Sequence, residues 1–234
     1  MKEEDGPKMG EKKRSYGQHC TVARALDVVG ERWTLLLVRE LSTGPKRFKD
    51  LLEGLPGIGT NLLAGRLKAL QGEGIVRRAT LPRPAGSNVY ELTGLGRELE
   101  PVIVALSRWG ARLLDSPGEE DEVRAGWAAV AMRSALGPEA SGGRPGTYGF
   151  RIDGEAFHVR VDHGGEDVEA RQGPAPDPDL IVEGDAETFL AVASRRLSLE
   201  EAVQSGALRT DGEQEGDREA FMAWCKHLIG PAAG

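Results

Sequence analysis

The 234-residue sequence predicts a mainly α domain followed by an α+β domain with an antiparallel sheet. Apolar residues recur every three or four positions in the first half, as on helices, and alternate from residue 148, as on strands. The charge changes between the halves as well: residues 1–115 hold 19 Lys/Arg and 14 Asp/Glu, whereas residues 116–234 hold 11 and 23. We therefore expect a disordered lead-in, a basic domain, a linker and an acidic domain, at residues 1–17, 18–115, 116–121 and 122–231 respectively.

The composition and the motifs exclude several classes of protein. The chain is 39% hydrophobic and 29% charged, as in ordinary globular proteins. No apolar run is long enough to span a bilayer, and the polar N-terminus is no signal peptide, so we expect no membrane partner and a cytoplasmic location. Cys20 and Cys225 are too far apart in sequence to indicate a disulfide framework. Catalytic, phosphate-binding and metal-binding spacings are missing, which predicts no enzyme, no cofactor and no metal.

Three helices are expected in the first 55 residues. The apolar pattern places them at His19–Val29, Glu31–Leu41 and Lys46–Leu55. The second is apolar almost all round, which indicates a buried helix. The third carries basic residues on the side that we expect to face outward, Lys46 and Arg47 among them.

A fourth helix, within residues 58–74, has the pattern of a DNA recognition helix. Leu63, Leu67 and Leu70 form one apolar stripe. The opposite face carries polar and basic side chains that pair with bases in a major groove: Thr60, Asn61, Arg66 and Lys68. Alone, this pattern more often belongs to a helix that only packs on a core. Together with the preceding short helix and its tight turn, it predicts a helix-turn-helix.

A basic hairpin follows this helix. Two strands are expected, at Ile75–Leu81 and Asn88–Leu92, around a Pro-rich tip. Its polar and basic residues are expected to contact DNA phosphates: Arg77, Arg78, Arg83 and Ser87. A helix-turn-helix followed by such a hairpin is typical of a winged helix, which predicts double-stranded DNA as the partner.

The last helix of this half, capped by Thr93, has an apolar seam. Its members lie four and three residues apart: Leu95, Leu99, Val102, Leu106, Trp109 and Leu113. Pro101 is expected to kink the helix. Such a seam predicts a homodimer that binds a pseudo-palindromic operator, the alternative being that the seam packs only on its own domain.

Several motifs of this half occur in the order of a known family. They are the Trp33-Thr34 helix, the Gly44-Pro-Lys-Arg-Phe segment, Leu67 and its neighbours, and Tyr90-Glu-Leu-Thr. Over residues 19–113 the chain resembles the HxlR family of dimeric, MarR-like, winged-helix transcription regulators of bacteria. The resemblance implies phosphate contacts by Lys46 and Arg47, groove contacts by Thr60, Asn61 and Arg66, and a wing contact by Arg83.

One position departs from the family pattern, and another suggests a further property. The family usually has Ser before the recognition helix, where this chain has Gly59, so we expect Thr60 to take the N-cap role. Some members of the family resemble thiol sensors with a cysteine near Cys20, and a thiol at a helix start has a lowered pKa. The alternative for Cys20 is a small residue that packs beneath the dimer helices.

The second half predicts a hairpin around Asp153-Gly154, further strands, and helices at residues 122–136, after Asp185, after Ser198 and after Asp217. Residues 178–212 resemble the C-terminal part of sterol-carrier-like (SCP2-like) domains. The resemblance implies an apolar pocket for a small effector, with aromatic side chains as its candidate lining: Trp127, Tyr148, Phe150, Phe157, Phe189 and Trp224. The alternative is that these side chains form an ordinary core.

These observations predict a homodimeric transcription regulator that a small apolar ligand modulates. One alternative is a thiol-responsive repressor that acts through Cys20. In this alternative the C-terminal domain is a scaffold or binds a partner protein.

Overall fold

The computed structural model describes residues 15–82, 84, 86–110, 113, 124, 126–130, 145–162, 168–193 and 197–212. The expected wing contact Arg83, the linker, and the helix expected after Asp217 with Trp224 lie outside the described residues.

The first half begins with short helices, as the apolar pattern predicts. They are α1 (Thr21–Val29), α2 (Thr34–Ser42), α3 (Phe48–Gly54) and α4 (Thr60–Gly72). α1 ends with Gly30 as its C-cap, and α2 begins after its N-cap Trp33, whose backbone adopts the left-handed conformation with a φ of 78°. The buried leucines of α2, α3 and α4 form the N-terminal core: Leu37, Leu41, Leu51, Leu63, Leu67 and Leu70.

Two antiparallel strands, β1 (Val76–Thr80) and β2 (Asn88–Leu92), follow α4 and form the wing. The single helix expected after Thr93 is divided into α5 (Gly94–Arg97) and α6 (Glu100–Gly110). The break precedes Pro101, since proline cannot donate the backbone hydrogen bond that a continuous helix requires. Thr93 caps α5 as expected, its hydroxyl accepting a hydrogen bond from the Gly96 amide at 3.1 Å.

The second half contains a five-stranded sheet in the order β5-β4-β3-β6-β7 within the described residues. The strands are β3 (Gly146–Ile152), β4 (Glu155–Val161), β5 (Val168–Gln172), β6 (Leu180–Gly184) and β7 (Arg209–Gly212). The α+β class is confirmed, and the pairing is antiparallel except between β3 and β6, which run parallel. This parallel pair forms because the chain crosses from β5 back to the middle of the sheet.

Helices cover one face of this sheet. They are α7 (Ala186–Ala193), α8 (Leu199–Gln204) and the helical residues 126–130. Ser198 and Glu201 form the expected capping box of α8. The core beneath the helices contains Phe150 stacked on Phe157, with ring centroids 4.7 Å apart. The alternating apolar pattern therefore predicted the inward face of the hairpin correctly.

Candidate nucleic-acid interface

Helix α4 is anchored by one face and exposes the other. Leu63, Leu67 and Leu70 are at most 2% exposed, as the sequence predicts. Asn61 and Lys68 are exposed on the opposite side of the helix, which is the side that would enter a groove. Small residues separate them, and a Cβ atom on Gly65 would meet no atom within 4 Å. This surface is therefore open to close approach by a large partner.

The expected N-cap role of Thr60 is wrong. Gly59 is the N-cap, with extended backbone angles, and Thr60 is the first helical residue. Glycine is accepted at this position because its lack of a side chain leaves the first amides of the helix accessible to water or to a ligand. The exposed Thr60 thus lies at the amino end of α4, beside Asn61.

Arg66 lies on the flank of α4 rather than at the centre of its exposed face. Its Nη2 atom donates a hydrogen bond to a carboxylate oxygen of Glu31 at 2.7 Å. The Arg66 side chain is only 24% exposed, and its Nε is buried without a hydrogen-bond partner. The ion pair ties α4 to the segment between α1 and α2, and it competes with the base contact that the resemblance implies.

Lys46 departs most from expectation. It does not lie on the outer face of a helix: α3 begins only at Phe48, and Lys46 forms a two-way backbone bridge to Tyr90 of the wing, at 3.0 and 2.8 Å. Its side chain is buried, 3.6 Å from a carboxylate oxygen of Glu40. The bridge joins the segment before α3 to the wing, and the ammonium group that we expected to meet a phosphate instead contacts Glu40 and Gln172.

Basic side chains surround α4 on two sides. Arg47 is the exposed N-cap of α3, and its amide donates to the Asp50 carboxylate at 3.0 Å. On the wing, Arg77 pairs with Glu91 at 2.7 Å and remains well exposed. The Arg78 guanidinium lies over the Tyr90 ring, 5.4 Å from its centroid. Ser87 is half-buried at the base of the wing tip, where its carbonyl accepts from the Leu81 amide.

Most of the expected effector residues belong to a packed core. Tyr148, Phe150 and Phe157 are at most 2% exposed, and Phe189 packs edge-on against Phe150. A cavity of about 150 Å³ lies beside the sheet, between Gly149 and Ile181 and a proline-containing loop. Trp127 lies outside this core and contacts the N-terminal domain, where its indole N–H donates to Glu40 at 3.0 Å.

Comparison with known proteins agrees with this geometry. Residues 28–117 match the HxlR-like helix-turn-helix family, and residues 133–220 match the SCP-2 sterol transfer family. An uncharacterised helix-turn-helix transcriptional regulator of Synechocystis is 35% identical over 99 residues, 42% of this chain and 73% of the relative. The chain belongs to the HxlR-like helix-turn-helix family. The sequence resemblance is thereby confirmed, and an SCP2 domain follows the HxlR-like domain.

Other HxlR-like relatives align over the same first half. The transcriptional regulator YodB of Bacillus subtilis is 37% identical over 95 residues, which are 41% of this chain and 84% of YodB. Among solved structures, the redox regulator HypR in its oxidised form is 33% identical, with a TM-score of 0.38 over 42% of this chain and all of that chain.

The HxlR-like domain carries an exposed apolar face, which we call the seam face. On α5 and α6 and just beyond, its members are 43–63% exposed: Leu95, Val102, Leu106, Trp109 and Leu113. Val22 and Leu26 of α1 are likewise exposed, whereas Leu99 is partly buried against the N-terminal core. Large apolar side chains left in water on one side of a domain mark an interaction surface.

Cys20 lies at the start of α1 in this HxlR-like domain. It is the N-cap residue, and its side chain is exposed. Hydrogen bonds from the backbone amides of Ala23 and then Val22 hold the pKa of the Cys20 thiol below its ordinary value. A lowered pKa increases the thiolate fraction at neutral pH, which is the reactive form.

Proposed function

We propose that this HxlR-like chain is a homodimeric regulator that binds a pseudo-palindromic DNA site through α4 and the wing. The observation that carries the proposal is the two-sided character of α4: leucines bury one face, while Asn61 and Lys68 stand exposed on the other. Asn61 is the candidate for base readout, since an amide pairs bidentately with adenine. Lys68, Arg47, Arg77 and Arg78 are the candidates for phosphate contacts, which supply affinity rather than sequence preference.

The structure changes the roles that we assign to two basic residues. Lys46 is omitted from the proposed interface because its side chain is buried against Glu40. Arg66 is assigned the task of holding α4 against Glu31, with base contact requiring that ion pair to open. Arg83 and Thr60 keep the wing and groove roles that the family resemblance implies.

The seam face supports the homodimer. A two-fold dimer built on α1, α5 and α6 would cover the exposed side chains of the seam face, Leu106 and Trp109 included. It would also place two copies of α4 on one side of the dimer, to meet two half-sites about one DNA turn apart. The proposed place of action is the bacterial cytoplasm, and no catalytic role is proposed.

The SCP2 domain is proposed to take a small apolar effector. The match to a sterol transfer family supports this role, as does a core rich in aromatic side chains. Since Phe150 and Phe157 stack on each other, an effector would have to displace part of this packing.

A second candidate for the signal is thiol chemistry at Cys20. The exposed position of Cys20 and its lowered pKa favour it. The variant Cys20→Ser should then keep DNA affinity while losing any response to a thiol-specific oxidant. An identical response in wild type and variant would remove Cys20 from the proposal.

Selection and fluorescence anisotropy test DNA binding. A duplex is selected from a random library by the wild-type protein, and its affinity is compared with that of a scrambled duplex across a salt series. We expect Asn61→Ala to cost about 1–3 kcal/mol on the selected duplex and to relax its sequence preference. We expect Lys68→Ala to weaken both duplexes alike and to reduce the salt slope by about one.

The control is Arg160→Ala, which likewise removes an exposed positive charge, here from the outer side of the C-terminal sheet. It should leave both the affinity and the salt slope unchanged. Failure of wild type to select any sequence, or an Asn61→Ala variant that discriminates as well as wild type, would contradict the proposed readout.

A further inference from the structure

A polar cluster with two buried charges at its centre, Glu40 and Lys46, connects the two domains. We call it the domain joint and define it as Arg39, Glu40 and Lys46 of the N-terminal domain with Trp127 and Gln172 of the C-terminal domain. Glu40 lies at its centre: one carboxylate oxygen accepts from Arg39 at 2.9 Å and from the Trp127 indole at 3.0 Å, and the other is 3.6 Å from the Lys46 ammonium. The Lys46 ammonium also donates to the Gln172 side chain.

The buried charges of the domain joint favour one relative position of its side chains more than they raise the free energy of unfolding. Glu40 and Lys46 are only 7% and 6% exposed, so both charges have lost most of their water. A buried ion pair recovers that cost only when its partners hold a defined arrangement. Burial lowers the pKa of Arg39, and the adjacent Glu40 opposes the shift. The Arg39 guanidinium also lies over the Trp127 ring, 4.6 Å from the centroid.

The N-terminal side of the joint allows little movement of Glu40. A Cβ atom on Gly54 would lie 2.6 Å from Oε2 of Glu40, so α3 approaches the carboxylate so closely that a larger residue there would require the carboxylate to shift. The Thr43 hydroxyl caps the Glu40 carbonyl at 3.0 Å. The C-terminal domain therefore contacts a carboxylate whose position α2 and α3 already determine.

The same contacts reach the proposed DNA surface. Lys46 is bridged by its backbone to Tyr90 of the wing and is followed directly by Arg47, the N-cap of α3. The Gln172 amide donates to the Thr43 carbonyl at 3.0 Å, in the turn between α2 and α3. Gln172 ends β5, which is the edge strand of the C-terminal sheet. Gln172 thus contacts both ends of the Thr43–Lys46 segment, which leads into the helix-turn-helix.

We propose that the domain joint couples the C-terminal sheet to DNA affinity, with Trp127 and Gln172 as positioning residues. This inference rests on the proposed DNA-binding function. Docking of the sheet keeps the Thr43–Lys46 segment, and with it α3 and the wing, in the arrangement seen here. A signal that moves β5 alters that arrangement. By linkage, DNA that selects one arrangement changes the docking of β5 to the same extent.

Hydrogen exchange of the full-length protein tests the joint without DNA. The variants are Trp127→Phe, which keeps an aromatic side chain but removes the indole N–H donor, and Gln172→Ala, which removes the side-chain acceptor of Lys46 and keeps the backbone amide that donates to Thr43. The control is Gln204→Ala, which truncates an exposed glutamine on α8. We expect the amides of residues 43–50 and 88–92 to exchange about tenfold faster in both joint variants, and at the wild-type rate in the control. Unchanged exchange in these segments would overturn the proposal.

DNA binding supplies the second arm, with the duplex selected by the wild-type protein. We expect each joint variant, at a temperature where it is fully folded, to bind this duplex at least about fivefold more weakly than wild type. The duplex should also slow exchange of residues 168–173 in wild type, which a merely stabilising contact would not produce. Joint variants with faster amide exchange but an unchanged affinity for the duplex would overturn the proposed coupling. If the wild-type protein selects no DNA sequence, the proposed function is wrong. The hydrogen-exchange experiment without DNA then still tests whether the domain joint holds the Thr43–Lys46 segment.

Discussion

Replacing Trp109 by alanine should separate the proposed dimer. The Trp109 side chain is 63% exposed on α6. Since a tryptophan has about 250 Å² of surface, about 160 Å² of it would be covered in a dimer, worth about 4 kcal/mol at about 25 cal/mol per Å². A two-fold dimer contains two copies, and truncation of a central aromatic residue commonly costs at least about 2 kcal/mol each. The dimer dissociation constant should therefore rise at least about a thousandfold.

Analytical ultracentrifugation over a dilution series measures this constant. At a concentration low enough for both proteins to be monomeric, Trp109→Ala should unfold at the wild-type temperature, because the indole contributes little to the core of its own domain and dimerisation itself raises the unfolding temperature. The control is Leu62→Ala, which removes an apolar side chain that is 41% exposed on α4, outside the seam face. A wild-type protein that is monomeric at micromolar concentration, or a Trp109→Ala variant with an unchanged constant, would refute the assignment of the seam face.

Three further predictions concern stability. Gly65→Ala should raise the free energy of unfolding by about 0.5–1 kcal/mol in urea titrations, because Gly65 has open space on an exposed helix face; a loss of stability would contradict this. Gly96→Ala should lower the free energy of unfolding by about 1–3 kcal/mol, because the added Cβ would lie 2.1 Å from the Ile75 carbonyl oxygen. A variant as stable as wild type would show instead that α5 shifts freely. Ser198→Ala should cost about 1 kcal/mol as a lost N-cap. NMR titration should also find that the pKa of Glu201, which Ser198 lowers in wild type, moves toward its ordinary value. The backbone amide of residue 198 still donates to Glu201, so the stability that Glu201 contributes above its ordinary pKa and loses as the pH falls should become smaller. An unchanged titration would count against the capping box.

Periodic patterns predicted the elements that bury one face. The leucine stripe of α4 and the alternating residues of the β3–β4 hairpin both lie inward, because burying apolar area dominates the choice of face. The Ser198 and Glu201 box was predictable for a similar reason, since its hydrogen bonds join residues only three apart.

Contacts between distant residues were not predictable from local pattern. Nothing near Lys46 indicates that its backbone pairs with Tyr90, or that its ammonium meets Glu40 and Gln172, so a basic segment was expected to face outward. The parallel pairing of β3 with β6 has the same origin, because alternation specifies a strand's faces but not its neighbour. In the candidate site, exposure of Asn61 and Lys68 followed from the period of α4, whereas the Arg66 pair with Glu31 did not.

The close approach of Gly54 to Glu40 constrains which amino acids can replace these two residues. Any side chain at position 54 would press on a carboxylate that already holds two cations and an indole N–H. A larger residue at 54 therefore requires the Glu40 carboxylate to shift or a shorter residue at 40, and losing the carboxylate would leave the buried Lys46 and the half-buried Arg39 without their counter-ion. In related chains that keep the second domain, these two positions should vary together, and chains without that domain should be free of the constraint from Trp127.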